Sequence, residues 1–133
     1  MFGGDGDDQI IFNGQAENGL RFPSTVDLVF LGQGRLRSAF GGDGNDTITS
    51  ANANGFFDGG EGNDRIAGSN FDDAIVGSEG DDFVTARGGD DNVAGGEGND
   101  LLFAGDGNDR VLAPLTSLSA LVQRNQSFPM TIP

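Results

Sequence analysis

Aspartate recurs in a nine-residue frame at Asp46, Asp64, Asp73, Asp82, Asp91, Asp100 and Asp109, each at the end of a glycine-rich stretch. The clearest copy reads Gly59-Gly60-Glu61-Gly62-Asn63-Asp64-Arg65-Ile66-Ala67. Glycines at positions 1, 2 and 4 permit φ > 0 and a tight turn without side-chain crowding. Such a turn can aim carbonyl oxygens inward, and the aspartate at position 6 adds a hard anionic oxygen. Calcium prefers six to eight ligands of this kind, carboxylate and carbonyl, at about 2.3–2.6 Å. The chemistry expected here is therefore coordination of a hard divalent cation. The carbonyls expected to contribute are those of Gly41, Asp43, Gly59, Glu61, Gly77, Glu79, Gly95 and Glu97.

The elements that must hold these ligands follow from the same frame. Eight nonapeptides run without a gap over residues 41–112. Position 8 is Ile48, Phe57, Ile66, Ile75, Val84, Val93, Leu102 and Val111, always apolar. Positions 7 to 9 are expected to form a three-residue strand whose middle side chain points to the core. Only the copy starting at Ser50 lacks the carboxylate, with Gly55 at position 6, so it should keep the coil and weaken a metal site.

Before the array, residues 3–11 form an isolated copy containing Asp8. Gly3 and Gly41 are 38 residues apart, which puts that copy out of phase. Residues 12–40 lack the pattern and read as an insertion or N-terminal cap; they carry Arg21, Arg35 and Arg37. Within them, residues 25–31 read as a strand rich in β-branched and aromatic residues. The tail, 113–133, reads as a cap over the last coil. Leu115, Leu118, Leu121 and Val122 have helical spacing, with Ser117 or Ser119 as a cap. An open end of stacked strands exposes backbone and core, which must be covered.

Composition narrows the functional classes. The formal net charge is −14, from 21 acids against seven Lys plus Arg, and 24 of 133 residues are glycine. Ordering so much glycine is entropically expensive, and one buried apolar side chain per nine residues returns too little to offset it. Bound cations would remove the carboxylate repulsion and supply the missing free energy. The acidity argues against nucleic acid or anionic lipid as partners. With no Cys and no His, thiolate or imidazole metal sites, Cys nucleophiles and His bases are absent. No window approaches the ~20 apolar residues of a membrane span. Met1-Phe2 leads into the first repeat without a basic start and apolar stretch, so no signal peptide is read there.

Eight in-phase copies of Gly-Gly-x-Gly-x-Asp-x-U-x, with U a large apolar residue, resemble the RTX (repeats-in-toxin) calcium-binding module of secreted bacterial proteins. The resemblance implies an all-β fold, a right-handed parallel β-roll with Ca2+ in the turns and irregular end caps. Two nonapeptides make one coil, and each ion sits between turns on the same side of successive coils. Applied to this chain, that rule sorts the turns into two rows. The first holds Asp46, Asp64, Asp82 and Asp100; the second holds Gly55, Asp73, Asp91 and Asp109. Three spaces in the first row and two intact ones in the second give about five ions. Asp8 adds another space if residues 3–11 stack on the first coil.

The resemblance also implies a non-catalytic module of an extracellular or cell-surface protein exported by type I secretion, folding when it meets calcium outside the cell. Two further partners are weighed. Phe83, Leu101 and Phe103 face outward on one sheet; either tail leucines cover them or they dock a neighbouring domain. The alternative function is an adhesive or accessory module binding an acidic polysaccharide through Arg21, Arg35 and Arg37.

Overall fold

The computed structural model describes residues 2–7, 9–12, 37–50, 54–112 and 120–123. Asp8, Arg21, Arg35, the strand expected over 25–31, Leu115 and Leu118 lie outside them, as does the side chain of Arg37.

The chain winds as stacked coils of two strands each, and the strands form two parallel six-stranded sheets. The first sheet runs in the order β1 (Phe2–Asp5), β3 (Arg37–Asp43), β5 (Gly55–Glu61), β7 (Ala74–Glu79), β9 (Asn92–Glu97) and β11 (Arg110–Leu112). The second runs β2 (Gln9–Phe12), β4 (Thr47–Ser50), β6 (Arg65–Ala67), β8 (Phe83–Thr85), β10 (Leu101–Gly105) and β12 (Ala120–Gln123). Within the array, successive strands of a sheet are in register 18 residues apart, as in Ile48↔Ile66 and Phe57↔Ile75, so two nonapeptides make one coil. This is an all-parallel β-solenoid, a β-roll.

The core is the position-8 column from each sheet. Ile48, Ile66, Val84 and Leu102 stack from one side, and Phe57, Ile75, Val93 and Val111 from the other, all 5% exposed or less. Parallel strands covered by a facing sheet bury one residue in two. That alternation appears in the short strands, exposed or half-buried on either side of the buried centre.

Four features depart from the sequence reading. In the first sheet, β5, β7 and β9 are longer than three residues, because they continue through positions 1 to 3 of the following turn. The copy at 3–11 is out of phase in numbering yet stacks as a coil: Gly4 pairs with Gly42 and Gln9 with Thr47, and the extra chain lies between them in sequence. Residues 37–40, read as part of the insertion, supply a cryptic strand. Ser38, Ala39 and Phe40 pair with Phe56, Phe57 and Asp58, and Ala39 extends the core column. Finally, Leu121 and Val122 are in a strand rather than a helix. The unpaired edge of β10 templates β12, with Leu102 opposite Leu121, and those main-chain bonds outweigh a weak helical spacing. The tail strand thus extends the sheet edge. On the outer face of that sheet, Phe83 and Phe103 pack with ring centroids 5.5 Å apart, and Arg65 lies 4.5 Å over the Phe83 ring.

Candidate metal centre in the turns

Each turn begins where a strand ends, so the stacking that aligns the core also aligns the aspartates. All seven position-6 aspartates of the array are buried, at 5% exposure or less. They form two ladders that cross the coils. In the first, Asp46 N donates to Asp64 Oδ1 at 2.7 Å, Asp64 N to Asp82 Oδ1 at 2.8 Å, and Asp82 N to Asp100 Oδ1 at 3.1 Å. In the second, Gly55 N donates to Asp73 Oδ1 at 2.9 Å, Asp73 N to Asp91 Oδ1 at 2.7 Å, and Asp91 N to Asp109 Oδ1 at 3.0 Å. One oxygen of each accepting carboxylate is thereby fixed to the preceding coil.

The other oxygen is the informative one. Oδ2 of Asp64, Asp82, Asp91 and Asp100 is buried with no hydrogen-bond partner. A buried carboxylate oxygen left in this state is expensive. In the first row these oxygens converge with main-chain carbonyls of the next coil. A Cβ on Gly59 would strike Asp64 Oδ2 and lie 2.6 Å from Gly77 O; one on Gly77 would strike Asp82 Oδ2 and Gly95 O. Gly41 stands in the same relation to Asp46 Oδ2 and Gly59 O. The position-1 glycines thus do not supply positive φ, as their place in the motif suggested. They keep space open beside an anionic oxygen and a carbonyl. Positive φ belongs to positions 2 and 4, as at Gly60 (106°) and Gly62 (123°).

The remaining expected ligands, the position-3 carbonyls, take part in the main-chain ladder. The position-3 carbonyls of Asp43, Glu61, Glu79 and Glu97 accept the position-4 N–H of the preceding coil, for example Gly44 N to Glu61 O at 2.8 Å. Their side chains are exposed and in register, Asp43↔Glu61↔Glu79↔Glu97, so like charges sit directly opposite one another. Among the described residues, no three acidic groups converge. A cation in these turns would take carboxylate oxygens from the ladder and complete its shell with carbonyls. The oxygen-only donor set, the orphaned Oδ2 atoms and the open cradles fit calcium.

Burial, the largest influence, pushes the Asp64 and Asp82 carboxyls up to about 6 and Asp91 up to about 7. The backbone N–H donors oppose this, while neighbouring carboxylates along the row add to it. Asp73 and Asp100 are also raised by burial. Protons and cations therefore compete for the same oxygens.

A second ladder escaped the sequence reading. Asn63 N donates to Asn45 Oδ1, Asp81 N to Asn63 Oδ1 and Asn99 N to Asp81 Oδ1, each at 2.8 Å. In the other row, Asp90 N donates to Asp72 Oδ1 and Asn108 N to Asp90 Oδ1, both at 2.9 Å. These position-5 bonds run from later coil to earlier, opposite in direction to the position-6 ladder. The two together clamp adjacent turns. The available signal was that position 5 is Asn or Asp in every copy.

The RTX calcium-binding nonapeptide repeat model matches the chain in four copies, over residues 1–16, 38–57, 58–93 and 85–113. No curated protein matches it. Modules of this kind are non-catalytic. The matched residues make up well over half of the 133, and they are the residues that build the coils and both aspartate rows; the chain belongs to the RTX calcium-binding nonapeptide repeat family.

Proposed function

We propose that the chain is a calcium-dependent folding module of an exported protein. The observation that carries this reading is the set of buried, partnerless Oδ2 atoms at Asp64, Asp82, Asp91 and Asp100. Without cations the roll must bury carboxylates in rows, hold an exposed acidic column in register, and order many glycines. Each of these costs free energy. Calcium bound between coils neutralises the rows and ligates the orphaned oxygens. Because the site is assembled only by stacking, binding free energy becomes folding free energy.

The ligands that spacing assigns are Asp46, Asp64, Asp82 and Asp100 in one row and Asp73, Asp91 and Asp109 in the other, with main-chain carbonyls completing each shell. The hydrogen-bonded Asp–Asp steps number three in the first row and two in the second, and spacing alone assigns each step a space for an ion. Residues 4–5 and 9–12 pair with the first coil of the array, and by its place in the motif Asp8 is assigned a further site. At the low calcium of a cytosol the chain stays unfolded and can be exported; at millimolar calcium outside, it folds. Family membership supports type I secretion as the route.

Far-ultraviolet circular dichroism in chelator and in millimolar calcium tests this. The expected result is a disordered spectrum that becomes β-rich on adding calcium. A full β spectrum in chelator at neutral pH would overturn the proposal.

A further inference from the structure

We infer that the turn at residues 68–73 is closed by its own serine and takes no cation, so the second row holds one ion where the spacing implies two. The inference rests on the calcium reading above. At the other described turns of the array, positions 2 and 4 both have positive φ, even where position 2 is Ser78 (86°) or Arg87 (82°). At 68–73 these positions are Ser69 and Phe71, and neither has positive φ. The turn is instead remade by hydrogen bonds. Ser69 N donates to Asp73 Oδ2 at 2.7 Å, Ser69 Oγ donates to the same oxygen at 3.0 Å, and Phe71 N donates to Ser69 Oγ at 3.1 Å.

Asp73 is thereby satisfied on both sides, because its Oδ1 accepts Gly55 N at 2.9 Å. The contrast within the row is direct: Asp91, one coil on, keeps a buried Oδ2 with no partner. A serine at position 2 is not sufficient by itself. Ser78 holds the usual turn conformation and turns its hydroxyl away, donating to Asp58 Oδ1 at 2.6 Å. What closes 68–73 is the combination of Ser69 with a non-glycine at position 4. That change also leaves Phe71 53% exposed at the turn tip. A cation entering beside Asp73 Oδ2 would have to displace two donors whose hydrogens point at the oxygen it needs. In the folded roll this turn has its bonds without an ion.

The test is calcium stoichiometry by isothermal titration calorimetry on the full chain, with circular dichroism to confirm that each variant folds in calcium. Asp73→Asn keeps one acceptor oxygen where the carboxylate has two, removes the charge a cation would need and, in variant protein that folds, is expected to leave the stoichiometry unchanged. Asp91→Asn is expected to lower it by one. Ser69→Gly with Phe71→Gly restores the glycine pattern and is expected to raise it by one. Loss of an ion from Asp73→Asn, or no gain from the double glycine variant when folded, would overturn the inference while leaving the calcium reading intact. A wild-type chain that binds no calcium would defeat both.

Discussion

Replacing Asp82 with alanine is expected to remove two ions, whereas replacing Asp109 removes one. Asp82 lies inside its row: its Oδ1 accepts Asp64 N at 2.8 Å, and its Oδ2 faces the Gly77 cradle and Gly95 O on the next coil. It therefore borders the spaces shared with Asp64 and with Asp100. Asp109 accepts Asp91 N at 3.0 Å in the last described turn of its row and borders one. Either alanine also strands a buried N–H, which costs about 1–3 kcal/mol. Each ion lost at free calcium 100-fold above its dissociation constant withdraws about 2.7 kcal/mol. The sum is roughly 6–8 kcal/mol for Asp82→Ala and roughly 4–6 kcal/mol for Asp109→Ala. Against a typical domain stability of about 5–15 kcal/mol, the first change brings the roll close to unfolding. Asp82→Asn retains an acceptor for Asp64 N and isolates the ion contribution. Titration calorimetry gives the stoichiometry, and urea unfolding at fixed free calcium gives the stability difference. Equal loss of ions from the two alanine variants would refute the two-row geometry.

Asn63→Ala deletes the acceptor for Asp81 N in the position-5 ladder and should lower stability by under about 1 kcal/mol without altering calcium stoichiometry, as read by urea unfolding and calorimetry together. The buried carboxyls of Asp64, Asp82 and Asp91 are raised to about 6, 6 and 7, so the ion-free roll binds more protons than the unfolded chain. Its stability contribution is complete below about pH 4, the unfolded carboxylate range, and is lost as pH rises through about 6–7. Circular dichroism in chelator should accordingly become more β-rich between pH 7.5 and 4.5, while calcium affinity weakens over the same interval; a spectrum that loses structure on acidification would contradict this.

The coil, the core column and the two aspartate rows were legible because each depends on a residue type repeated at a fixed period. What escaped the reading depends on local bonding that periodicity does not encode. Residues 45, 63, 81 and 99 fall on a position the motif leaves open, and although each is Asn or Asp, only the stacked backbone shows that their side chains bond across coils. Residues 37–40 lack the glycine turn entirely, and Ala39 is recruited to the core by its pairing with Phe57. Ser69 and Ser78 occupy the same motif position and differ only in backbone conformation and hydrogen-bond partner. The tail strand answers to the exposed edge of β10, a tertiary cause that helical spacing could not anticipate.

The central claim is that cations sit between successive coils against the buried aspartates. Anomalous diffraction from crystals grown with a lanthanide in place of calcium tests it most directly. The account predicts three peaks in a straight row beside Asp46, Asp64, Asp82 and Asp100, spaced by about 4.8 Å, the separation of neighbouring strands. Peaks confined to the exposed column of Glu61, Glu79 and Glu97, with none between the coils, would contradict it.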